Sequence, residues 1–121
     1  MSILNLTQHS ATPAQLQAGV VEPEDKGAVQ TLLTFEGLPS REQIHARALA
    51  LAELANNAGC TDVMVGGAPY LMGPLEDALR GRRMNPIFAF SERKSVEKTD
   101  PETGEVKKNT VFIHLGFVGL D

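Results

Sequence analysis

DVMVGGAPYLMGPLEDALRGRRMNPIFAF, residues 62–90, decides the fold. Asp62-Val63-Met64-Val65 is a short apolar run that reads as a strand, and Gly66-Gly67-Ala68-Pro69 breaks it. Tyr70, Leu71, Leu75, Ala78 and Leu79 then recur at helical spacing up to Gly81. Asn85-Pro86 introduces a second apolar run, Ile87-Phe88-Ala89-Phe90. Strand, glycine turn, helix and strand make a βαβ unit, whose strands are parallel and whose crossover is right-handed.

Upstream, Ser40-Arg41-Glu42-Gln43 is a capping box that opens a helix over about residues 41–58, closed by Gly59. Ile44, Ala48, Leu51, Ala55 and Ala58 lie along one stripe with Leu54 beside it, and the small alanines call for close packing. An earlier helical segment begins after Pro23, with Ala28, Val29, Leu32 and Leu33 at helical spacing, and Gly37 and Pro39 end it. At the start of the chain Ile3, Leu4 and Leu6 form a first strand. Thr12, Pro13 and Gln15 then cap a short helix that Gly19 ends. Downstream, residues 91–99 alternate weakly, residues 100–104 carry a turn signal, and residues 106–118 are strand-like. The expected class is α/β: a small Rossmann-like mixed sheet with flanking helices and a C-terminal antiparallel hairpin, ordered β-α-α-α-β-α-β-β. It forms one domain over residues 1–121.

Composition narrows the function. Eleven basic against fifteen acidic side chains give a net charge of -4, which disfavours a protein that grips long nucleic acid through many phosphates. Aromatics are 5% with no Trp, so a base-stacking platform is not expected. The single Cys60 excludes an internal disulfide and a multi-cysteine zinc site. No run of about 18 apolar residues exists, so no membrane span is expected. With no secretion signal at the N-terminus, a cytoplasmic location is the expectation.

In an open α/β sheet, ligands bind outside the carboxyl ends of the parallel strands. Three segments are expected to converge there: Thr7, Gln8, His9 and Ser10 after the first strand, Gly66, Gly67, Ala68, Pro69 and Tyr70 after the second, and Ser91, Arg93 and Lys94 at the far end of the third. The two glycines open the main chain to a ligand, and the following helix offers free N–H groups to a phosphate. The turn is neither G-x-G-x-x-G nor a P-loop, so a tight strand-to-helix turn that binds nothing stays open beside the phosphate site. Thr7, Gln8, His9 and Ser10 can hold a base, ribose or phosphate, or can simply bond the local turn. His9 has the chemistry of a general acid or base but no neighbouring carboxylate in sequence to orient it. Arg93 and Lys94 can neutralise a phosphate, or belong to a solvated hairpin of interleaved charge. Arg80, Arg82 and Arg83 suit the negative end of their helix. His45 is expected in solvent, His114 as a hydrogen-bonded structural histidine and Cys60 as a buried thiol. No metal and no cofactor are expected.

Leu4-Asn5-Leu6-Thr7-Gln8-His9-Ser10-Ala11-Thr12-Pro13-Ala14-Gln15-Leu16 resembles the strand-then-"LTPEQ" start of small CARF-like proteins of CRISPR systems, which include stand-alone ring nucleases and binders of cyclic oligoadenylate. Val65-Gly66-Gly67-Ala68-Pro69 is similar to their second ligand-binding turn. The whole chain also looks like small proteins of phages and prophages. The likeness covers about a third of the chain. It implies ligand contacts at Thr7, Gln8 and His9 and at residues 66–69, and a dimer or larger homo-oligomer enclosing a nucleotide signal. It carries no catalytic residue to this chain.

Three functions follow as expectations. The first is a sponge that binds and sequesters a nucleotide second messenger of antiviral defence. The second is a metal-independent ring nuclease or phosphodiesterase, drawing on His9, Ser91, Arg93 and Lys94 for positioning. The third is an inhibitor that binds a protein through the C-terminal hairpin.

Overall fold

The computed structural model describes residues 2–120. Nine elements follow in order: β1 (Ile3–Leu6), α1 (Pro13–Gln17), β2 (Val20–Val21), α2 (Lys26–Leu33), α3 (Arg41–Ala58), β3 (Asp62–Val65), α4 (Pro69–Gly81), β4 (Asn85–Thr99) and β5 (Val106–Val118). The five strands form one mixed sheet in the order β2-β1-β3-β4-β5. β1 runs parallel to β2 and β3, β3 runs parallel to β4, and only β4 and β5 pair antiparallel. The βαβ unit and the hairpin therefore stand as the sequence leads one to expect.

The helix starts are built from the expected caps. Thr12 and Ser40 each accept from the N–H three residues on, and Gln15 and Gln43 each reach back to the cap N–H. Gly59, at φ 77°, closes α3 in the left-handed conformation that glycine adopts without strain. β2 has no sequence counterpart. Two valines show no periodicity, and they become a strand because the Gly19 turn lays them beside β1, where Ile3 N–H donates to the Gly19 carbonyl at 3.0 Å.

The period of two along each strand divides the core. Leu4, Leu6, Val63 and Val65 face α2, α3 and α4, packing on Val29, Leu33, Leu51, Leu71, Leu75 and Leu79. Ala48, Ala52 and Ala55 let α3 approach closely; Ala52 joins the buried stripe, and Ala58, expected on it, is exposed. The opposite face is thinner: Ile3, Val20, Met64 and Ile87 pack with Ala11 and Phe117, and α1 buries no residue.

β4 ties this body to a long ribbon. Its first residues, Asn85, Pro86 and Ile87, pair with β3, and the strand then continues past the carboxyl end of the sheet. From Phe88 to Thr99 its only partner is β5, with the register slipping once between Phe90 and Ser91, where Leu115 is left unpaired. From Ala89 onward β4 is exposed. Among the described residues no helix is long and apolar enough to cross a membrane.

Candidate functional site

β1 and β3 are adjacent and parallel, so the chain leaves both at the same edge. Thr7, Gln8, His9 and Ser10 after β1, and Gly66 and Gly67 after β3, line one cleft of about 420 Å³. Thr12 and Gln15 of the first helix start, Met64 and Val65 of β3, and Phe88 and Ala89 of β4 complete its wall. Six of the expected site residues thus share one cavity. Ala68, Pro69 and Tyr70 do not line it; the Tyr70 ring tilts against Phe35, centroids 5.7 Å apart, beside the α2–α3 connection. Ser91, Arg93 and Lys94 do not line it either. β4 does not end at Phe90, so these side chains stand exposed in mid-ribbon, opposite His114, Phe112 and Val111.

The loop after β1 is held from behind by side chains that sequence reading did not single out. Asn5 is fully buried in β1. Its Oδ1 accepts from the Thr7 N–H at 3.1 Å and the Thr7 hydroxyl at 2.6 Å. Its Nδ2 donates to the His9 carbonyl at 2.8 Å and to Glu22 Oε1. Lys26 Nζ donates to the Thr7 carbonyl at 2.7 Å and the His9 carbonyl at 2.9 Å. Gln30 Nε2 donates to the Gln8 carbonyl at 3.1 Å, and Gln8 Nε2 in turn reaches the Thr34 hydroxyl at 3.0 Å. Burial pushes the Lys26 ammonium below the usual lysine range, and the Glu22 carboxylate 3.9 Å away opposes that shift.

Three successive carbonyls, of Thr7, Gln8 and His9, are thereby engaged by side chains of β1 and α2. The N–H groups of Gln8, His9 and Ser10 donate to no protein acceptor among the described residues, nor does that of Gly67 across the cleft. Amides without a protein acceptor are available to an anion at the cleft. The two loops come close: a Cβ on Gly66 would lie 3.5 Å from Thr7 Cγ2. Gly67 sits at φ 154° with Met72 Cε 3.4 Å from the Cβ position, so a side chain there is strained. Hydroxyls of Ser10 and Thr12, the Gln15 amide and the His9 imidazole complete the polar set, and no carboxylate among the described residues lines the cleft. An Asn inside the apolar run Ile3–Leu6 was the available signal for the supporting network, since a polar residue in a buried strand must find partners.

The remaining candidates lie apart. His45 is exposed on α3, and Cys60 is half-buried against the helical core. His114 packs edge-on to Phe117 at 4.9 Å, but its Nδ1 is buried without a hydrogen-bond partner, contrary to the expectation of a hydrogen-bonded histidine. A larger open hollow of about 630 Å³ lies at the α2–α3 connection. Its one cation, Arg47, is already occupied, donating to the carbonyls of Thr31, Leu32 and Thr34 and lying 4.7 Å over the Phe35 ring.

No curated protein and no solved structure matches the chain. A family model described as the uncharacterized protein MJ1673 family matches residues 1–118, which is nearly all of it, and the chain therefore belongs to the MJ1673 family.

Proposed function

We propose that the protein binds a small nucleotide second messenger in the cleft between residues 7–10 and Gly66–Gly67, and acts by sequestering that signal of an antiviral defence system. One observation carries the proposal. Side chains behind the first loop take up the carbonyls of Thr7, Gln8 and His9, and the amides that remain free border a cleft whose other rim is glycine main chain. Such a rim suits phosphate oxygens, while Phe88 and Met64 give an apolar surface for a base. The likeness of residues 4–16 and 65–69 to CARF-like proteins supports the same ligand class. Sequestration is favoured over cleavage because no carboxylate in the cleft orients His9 as a base.

Calorimetry against cyclic oligoadenylates, cyclic dinucleotides and ADP-ribose derivatives tests it. Micromolar or tighter binding of one of these is expected, with at least a roughly tenfold loss in Gly66→Val, about 1.4 kcal/mol. Absence of binding to all of them overturns the proposal. Chromatography of the ligand recovered after prolonged incubation separates the two activities: intact ligand supports sequestration, and linear products replace it with a ring nuclease.

A further inference from the structure

The ribbon is more apolar than a solvated hairpin needs to be. Phe112 is 70% exposed, Leu115 57% and Val106 54%, and Val96, Val111 and Ile113 are exposed as well. Cross-strand partners share a face. Phe112 therefore lies on one face with Arg93, and Val111 and Ile113 lie on the other with Lys94 and Glu92. Both faces of the ribbon carry apolar groups with nothing packed on them, and a two-stranded ribbon is marginal alone in water. β5 is also the terminal strand of the sheet, so its outer row of N–H and C=O groups is open to pairing.

We propose that a second copy of this chain docks along β5, antiparallel, with the two-fold axis at Phe112. The inference does not rest on the ligand proposed above. Three features of the chain single out a second copy as the occupant. Two levels of β5 match across Phe112: Val111 and Ile113 flank it, and Val106 and Val118 end the strand six residues on either side, while Leu115 and Phe117 fall opposite Asn109 and Lys107. A two-fold axis sets Phe112 against its own copy and Val111 against Ile113, and the unpaired Leu115 limits the regular pairing on each side. The charges also complement each other. The turn at the ribbon tip carries Asp100, Glu102 and Glu105, between Lys98 on one strand and Lys107 and Lys108 on the other, whereas Arg82 and Arg83 lie just before β4 at the base of the sheet. Glu105 and Gly119 are each seven residues from Phe112, roughly 23 Å along a strand. Gly119 is bound to Asn85 at 2.8 Å, two residues after Arg83. The tip of one copy therefore reaches the arginine-bearing base of the other, twice per dimer.

Sedimentation equilibrium and light scattering of the full chain test this. Wild type is expected at twice the 13.0 kDa chain mass at micromolar concentration. Phe112→Asp, at a position exposed in the single chain, is expected to give a monomer whose circular dichroism is unchanged. A charge swap tests the stated geometry. A chain with Arg82→Glu and Arg83→Glu, and another with Asp100→Lys, Glu102→Lys and Glu105→Lys, should each self-associate at least tenfold more weakly and should form a 1:1 heterodimer when mixed. A wild-type monomer throughout the micromolar range overturns the proposal. So does a dimer that survives Phe112→Asp, or charge variants that self-associate like wild type.

Discussion

Asn5 shows how a single buried amide shapes the cleft without facing it. All its polar atoms are used, on Thr7, His9 and Glu22, and the strand around it is apolar and fully buried. Asn5→Ala leaves the Thr7 N–H, the Glu22 carboxylate and part of the His9 carbonyl to find other partners. Loss of one buried partner costs about 1–3 kcal/mol, so a destabilisation of about 2–4 kcal/mol is expected in urea denaturation, together with loss of the ligand affinity proposed above. A loss under about 0.5 kcal/mol would show that Lys26 alone holds the loop. At this scale the sequence is legible where residues are adjacent in the chain. Thr7, Gln8, His9 and Ser10 stand out as a polar run after a strand. Glu22, Lys26 and Gln30 lie 17 to 22 residues downstream of the carbonyls and side chains they serve, and only folding reveals their role.

Helices α1 and α3 were legible down to their caps, because a cap is a contact between residues three apart. The hairpin was legible as well, from the turn signal at residues 100–104 and the strand-like run 106–118. Residues 91–99 have both faces in solvent, so burial imposes little alternation, and the period-two trace is weak. Ser91, Arg93 and Lys94 were expected to reach the site from the far end of this strand, and instead they stand in mid-ribbon, away from the cleft. The end of α4 supplies a test. Arg83 adopts φ 62°, and Met84 N–H donates to the Leu79 carbonyl at 3.0 Å, as in a Schellman ending whose left-handed position is usually glycine. Arg83→Gly relieves the clash of Cβ with its own carbonyl and is expected to stabilise the chain by about 0.5–1 kcal/mol, read as a rise in thermal midpoint. A fall would mean that the arginine side chain makes a compensating contact.

The molecule as a whole divides into a body that holds its own core and a ribbon that contributes almost nothing to it. No residue from 89 to 116 belongs to either buried cluster; Phe88 and Phe117 are the last to touch them. Replacing residues 92–113 by an Asn-Gly turn is therefore expected to leave the midpoint of thermal unfolding within about 5 °C of wild type, while abolishing self-association. A large drop would show that the ribbon stabilises the body. β4 belongs to both parts: Ile87 sits in the core, Phe88 and Ala89 wall the cleft, and the next ten residues form the arm. The cleft is thus mounted on the shaft of a lever. Anything that grips the arm bears on the cavity wall, and by thermodynamic reciprocity whatever fills the cavity changes the grip by the same factor.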